Sequence, residues 1–186
     1  HVFRRDGSFL RQIGHRGRGR GEYWELSDFS IDRENGVIYL WDDALDMAHK
    51  YDLRTNGYIS SIKTKRNGYR SYSMLYLGGK LYVDRTSLDA DSENYLLKEI
   101  DGKTGTQIAS CLKADDYNRG WNFPLRLPFS FFYSKNTDAP KYVELFSDTI
   151  MAVTKEGIKP YCVVKSEDFV SKKRMKKLIS DCGSRS

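Results

Sequence analysis

The residues best equipped for chemistry are four cations on one glycine-studded run: His15, Arg16, Arg18 and Arg20, within residues 14–23, with Trp24 beside them. Guanidinium groups carry planar forks of N–H donors that match carboxylate, phosphate or sulfate, and an indole offers an apolar plane on which a sugar can lie. The run therefore suits an anionic or sugar-like ligand. The plain alternative is a turn made by the glycines, with the arginines in water. A second candidate lies in residues 118–126, where Trp121 and Arg126 either line a ligand face or pack against Pro124 and Pro128.

Other reactive side chains are scattered. His1, His15 and His49 are far apart, and none has a second ligand at metal spacing. His15 reads as a solvated loop residue and His49 as a packed or edge strand position. Cys111, Cys162 and Cys182 are odd in number and lack Cys-x-x-Cys spacing. Cys162, in the apolar stretch 161–164, is expected to be buried, and Cys182, at a helix end, exposed. One disulfide is permitted in an oxidising compartment, without a choice of pair. Asp42, Asp43 and Asp46 offer oxygens to calcium, but the glycine and terminal glutamate of an EF-hand loop are missing. Asp52 and Asp101 read as turn formers that bond their own backbone. There is no Gly-x-Ser-x-Gly elbow, phosphate-binding Walker loop or pair of catalytic carboxylates. The sequence thus predicts no metal, no cofactor and no catalytic residue, and an enzymatic reading needs residues from outside it.

Charge narrows the partners. Thirty-one basic residues against 25 acidic give a formal net charge of +6, with an isoelectric point near 9.1. The excess is spread along the chain, so a continuous nucleic-acid groove is not indicated. No apolar run approaches the ~18 residues of a membrane span. With 39% hydrophobic and 13% aromatic residues the chain can build a core, and thirteen tyrosines suit half-exposed sheet faces.

The elements that would position these residues are strands. Residues 9–13 before the cationic run and 28–32 after it alternate apolar and polar, as half-buried strands do. Shifting the sequence on itself lays 50–57 over 99–106, with Asp-x-basic-Thr in register, and 36–41 over 79–84, each entered from a glycine. The spacing of roughly 45 residues is that of a four-stranded propeller blade. The parse is a remnant with two outer strands (1–13), three blades (24–63, 72–112, 129–165) and a helix (167–181). Ser166 is its expected N-cap, Glu167 and Asp168 its first turn, and Gly183 its stop. Its Lys172, Lys173, Arg174, Lys176 and Lys177 read as a solvated face.

Residues 21–23, 28–32 and 37–42 resemble one unit of an NHL-type propeller. Residues 132–136, 142–150 and 157–161 resemble, more narrowly, the six-bladed propeller lipoproteins of gut-dwelling Gram-negative anaerobes. The resemblance implies an all-β propeller, about three and a half blades of six, that is exported, lipid-anchored outside these residues, and binds ligands or acts as a scaffold. His1 enters in the middle of a strand pattern, which reads as a piece cut from a longer protein, with open blade edges that favour self-association. The expected function is non-enzymatic recognition of a protein, glycan or small anionic ligand through face loops. The alternative is a propeller lyase or hydrolase whose active residues lie elsewhere.

Overall fold

The computed structural model describes residues 1–65, 71–84, 94–121, 130–133 and 139–183. The chain is built from antiparallel strands in sequence order. A two-stranded sheet of β1 (Val2–Phe3) and β2 (Phe9–Arg11) comes first, followed by three four-stranded sheets. These contain β3 (Leu26–Asp32), β4 (Val37–Asp42), β5 (Met47–Asp52) and β6 (Tyr58–Lys63); β7 (Met74–Leu77), β8 (Lys80–Asp84), β9 (Tyr95–Asp101) and β10 (Gln107–Lys113); and β11 (Phe131–Phe132), β12 (Lys141–Tyr142), β13 (Thr149–Thr154) and β14 (Gly157–Val163). A short helix α1 (Ala114–Tyr117) follows β10, and α2 (Lys172–Gly183) closes the described residues. Among them no helix is long and apolar enough to cross a membrane.

Strand alternation sends successive side chains to opposite faces, and the sheets stack on both. In β4, Ile38 and Leu40 pack with Ile13 and Tyr51 toward β1 and β2. Val37, Tyr39 and Trp41 pack the other way, with Met74, Leu81, Val83 and Ile100 of the next sheet. That sheet in turn presents Leu75, Tyr82, Leu97 and Leu112 to Phe131, Tyr142, Met151 and Val153 of the last. Phe29 and Ile31 pair with Leu40 and Ile38 across β3 and β4, so they share the face toward β1 and β2. They stay 54% and 38% exposed.

Leading strands are held together by side chains. Asp28 and Ser30 of β3 accept the backbone N–H groups of Met74 (2.7 Å) and Tyr76 (3.0 Å) on β7. An edge strand's unpaired donors are thereby satisfied without a continuous ladder. The Trp41 indole N–H reaches the Ser71 carbonyl at 2.5 Å. In the next sheet Asp84 accepts from the Ser130 hydroxyl at 3.2 Å.

The two repeated turns are the same motif. Asp52 Oδ1 accepts from the backbone of Arg54 and Thr55 and from the Thr55 hydroxyl, at 2.9, 2.7 and 3.0 Å. Asp101 does so from Lys103 and Thr104, at 2.9, 2.7 and 2.9 Å. Four positions on from each threonine-capping acid, Asn56 (φ 61°) and Gly105 (φ 73°) each complete the left-handed step.

Several expectations need correction. The C-terminal helix begins at Lys172 rather than 167, because Ser171, not Ser166, caps it: the Ser171 hydroxyl accepts the Arg174 N–H at 3.2 Å. Ser166 instead closes a local turn onto the Asp168 N–H, and Glu167 and Asp168 precede the helix. The helix runs through Gly183, burying Met175 while its lysines face solvent. Cys162 is exposed rather than buried, since it pairs with Ile150, on the face of β14 away from Met151 and Val153, which no other sheet covers among the described residues. Cys182 is exposed as expected, Cys111 is half-buried, and all three are free thiols. The polar loop expected at 89–94 lies outside the described residues except for Asn94.

Candidate ligand-binding loop

Residues 12–25 join β2 to β3. Glycine makes the path possible: Gly14 and Gly21 have φ of +65° and +79°, and a Cβ on Gly21 would come within 2.5 Å of the Tyr58 ring. The loop folds back on itself, with Tyr23 N–H on the His15 carbonyl (3.2 Å), Gly17 N–H on that of Tyr23 (3.0 Å) and Glu22 N–H on that of Gly19 (3.1 Å). Glu22 staples this fold through its carboxylate, which accepts the Gly19 N–H at 2.6 Å and lies 2.7 Å from His15 Nε2. The Gly19 bond, then the His15 contact, holds the Glu22 carboxyl below its usual pKa. A Cβ on Gly17 would sit 1.9 Å from Glu22 Oε2, so only glycine leaves that carboxylate in place.

The cations fall into order on this frame. Arg16 and Arg18 lie over the Trp24 ring, with guanidinium carbons 5.2 and 4.7 Å from its centroid. Arg16 Nε also donates to the Trp24 carbonyl at 3.1 Å. Arg20 lies over Tyr58 at 5.8 Å. The indole therefore serves as a platform for two of the arginines. Stacking fixes the guanidinium planes and leaves N–H edges to meet an anion.

Beneath the loop lies a buried polar layer. Asp42 uses both oxygens on the backbone N–H groups of Trp24 (2.5 Å), Glu25 (3.4 Å), Ala44 (3.1 Å) and Leu45 (3.1 Å). Its carboxylate thus belongs to the loop's scaffold, which leaves it poorly placed as a calcium ligand. His49 is 2% exposed, as a packed residue should be. Its Nδ1 lies 2.8 Å from the Ser61 hydroxyl, which meets the Tyr58 hydroxyl at 2.8 Å. Its Nε2 is 3.7 Å from Asp42. Burial lowers the His49 pKa despite the opposing pull of Asp42. The Tyr51 hydroxyl donates to the Gly21 carbonyl from the same layer.

His15, Arg16, Arg18, Arg20 and Trp24 thus form one assembly. Trp121 does not join it through any contact described: it packs on Phe146 at 4.9 Å between ring centroids, and Asn118 Nδ2 donates to its carbonyl at 3.0 Å. Arg126 lies outside the described residues. Sequence reasoning missed Glu22, Asp42 and Tyr58 as parts of the assembly. Glu22 is foreshadowed by its place three residues after Gly19, whereas Tyr58 arrives only through strand register.

A family model for DUF4934, a domain of unknown function, matches residues 1–183. The chain belongs to this family. The DUF4934 fold also appears in a solved structure, a Bacteroides fragilis protein thought to be exported, at 22% identity and a TM-score of 0.66. That match covers 89% of this chain and 45% of the other, so the DUF4934 chain spans less than half the length of its structural relative. U3-55K (7% identity, 83% and 42% covered, TM-score 0.47) and hydrazine synthase of Kuenenia stuttgartiensis (8%, 79% and 37%, TM-score 0.46) share a looser likeness that carries no argument. No curated protein matches the sequence.

Proposed function

We propose that this DUF4934 chain forms consecutive blades of a β-propeller of NHL type, and that the protein is an exported, non-enzymatic binding module that takes anionic ligands on the loop 14–24. The observation that carries the reading is the fixing of Arg16 and Arg18 on Trp24. A solvated loop gains nothing from ordering two long side chains, whereas an anion site gains from guanidinium groups whose entropy is already lost. Glu22 offsets only part of the charge of the three arginines.

The propeller reading is supported by the up-and-down order of each sheet, by the side-by-side placement of β3 and β7, and by the fold likeness to the Bacteroides protein. Export rests on that likeness and on the lipoprotein resemblance of the sequence, as does a lipid anchor outside these residues.

Titration with a sulfated and a carboxylated oligosaccharide, a heparin-derived tetrasaccharide and tetragalacturonate, tests the site. Binding of at least one is expected, weakening with salt and lost in the Arg16→Ser/Arg18→Ser/Arg20→Ser variant. Unchanged affinity in that folded variant would return the loop to a solvated turn.

A further inference from the structure

A second cavity lies away from the cationic loop. That loop leads into β3 at Leu26, whereas a cleft of about 750 Å³ borders the turn after Asp32, at the far end of the seven-residue strand. Its walls come from strands or strand ends of all three four-stranded sheets: Ile31 of β3, Leu77 of β7, and Tyr133 and Pro140, which directly follow β11 and precede β12. The volume falls within the ~300–1,000 Å³ typical of small-molecule sites.

The electrostatics of this cleft differ from those of the loop. Its acids are Asp32 and Glu34 and its bases Arg33 and Lys155, so its charge is balanced. One acid and one base are already paired, and a second acid is held by an amide. Lys155 Nζ donates to both Glu34 oxygens, at 2.9 and 3.0 Å, and Asp32 accepts from Asn35 N–H at 3.2 Å and from Asn35 Nδ2 at 2.7 Å. A site of this kind has little hold on a free ion. It is instead rich in fixed donors and acceptors beside an apolar surface.

Tyr133 supplies that surface. The residue is 61% exposed, yet its hydroxyl is held 3.1 Å from the Ser30 Oγ of β3. Desolvation of that hydroxyl end raises its pKa. The ring is pinned at its hydroxyl end in the wall of the cleft. Tyr76, also in the wall, is unavailable for the same task, because it stacks on Tyr39 with centroids 3.9 Å apart.

We propose that this cleft binds a neutral oligosaccharide, with the apolar C–H face of one pyranose ring laid on Tyr133 and its hydroxyls bonded to the paired side chains of the 32–35 turn and Lys155. A neutral polyol fits for two reasons. Its hydroxyls can each donate and accept, so they add to an existing ion pair without breaking it. Its ring offers an apolar face matched to an exposed aromatic plane. The proposal is independent of the anion site.

The test uses the whole chain and a panel of neutral tetrasaccharides (gluco-, manno- and xylo-configured), with the two acidic oligosaccharides as controls. At least one neutral member is expected to bind. Tyr133→Ala should weaken it by about tenfold or more, as loss of a stacked aromatic does, and Tyr133→Phe by much less. The triple arginine variant should bind it as the unaltered protein does. Saturation-transfer NMR on the unaltered protein reads the same contact without a variant, since the C–H protons of one ring face should saturate most strongly. The proposal is overturned if no neutral member binds, if Tyr133→Ala binds as well as the unaltered protein, or if saturation shows no preferred face.

Discussion

The indole N–H of Trp41 donates to the Ser71 carbonyl across 2.5 Å, from the second strand of one sheet to the link that leads into the next. Trp41 is also among the largest fully buried side chains, packed with the hydrophobic cluster between those sheets. One residue therefore both fills the interface and fixes the path of the chain beyond it. Trp41→Phe should cost about 1–3 kcal/mol by leaving a buried carbonyl without its partner, and Trp41→Ala about 3–5 kcal/mol by opening a cavity as well. Denaturant melts measure both. No loss in Trp41→Phe would show that the hydrogen bond contributes nothing, and equal losses in the two variants that the packing adds nothing beyond it.

Two turn glycines should respond differently to alanine. Gly36 and Gly105 both have positive φ, 64° and 73°. A Cβ on Gly36 meets nothing within 4 Å, whereas on Gly105 it falls 2.0 Å from the Lys63 carbonyl oxygen. Gly36→Ala should cost only the left-handed penalty, about 1–2 kcal/mol. Gly105→Ala must in addition push β6 away, so its thermal midpoint should fall further. A smaller loss at Gly105 than at Gly36 would mean that β6 yields freely.

Asp28 gives stability a pH dependence. Desolvation, partly opposed by its bonds from Met74 and Phe29, raises its pKa from 3.8 to about 6. The folded chain thus holds this proton more tightly than the unfolded one. The contribution is fully present below about 3.8 and is lost as pH rises through about 6. Asp28→Asn removes the titration, so between pH 4 and pH 7 the stability difference should move in favour of the variant. Denaturant midpoints for both proteins at the two pH values check the sign, and parallel pH profiles would refute it.

Gly17 and Glu22 should act as a unit. Gly17→Ala forces the Glu22 carboxylate from its place, and Glu22→Ala removes it, so either change frees His15 and the Gly19 N–H. Trypsin cuts after arginine and therefore reports the order of the loop directly. Each variant should be cut faster at Arg16, Arg18 and Arg20, and the double variant no faster than Glu22→Ala alone. Additive rates would mean that the two residues stabilise the loop separately.

Much of the sheet framework was legible because it rests on local periodicity. The unbroken apolar run of β4 fits a strand buried on two faces, and the Asp-x-basic-Thr echo announces two identical turns, since the capping acid and its threonine lie within three residues. The helix start was missed by five residues because Ser166 and Ser171 are both competent caps, and only the surrounding structure decides between them. Cys162 was misread because an apolar strand signals burial without saying which face has a neighbour. At the cationic loop the residue types were readable and their geometry was not. Tyr58 comes beneath Arg20 through strand pairing, and the arginines turn inward onto Trp24, a choice that composition leaves open. The cleft was invisible for the same reason: Ser30 and Tyr133 stand 103 positions apart.

The sheets of β3–β6 and β7–β10 each carry clusters on both faces, and the second shares one with the sheet before it and one with the sheet after it. Because among the described residues these clusters join consecutive sheets, the chain resembles a short one-dimensional lattice whose cooperativity depends on nearest-neighbour coupling. Fraying is cheapest at the two ends, and the amides of β8 and β9 become the slowest to exchange with solvent. The links that skip a sheet, Lys155 to Glu34 and Tyr133 to Ser30, then act as cross-ties, coupling the end sheets through the cleft so that a molecule bound there would damp the breathing of both at once.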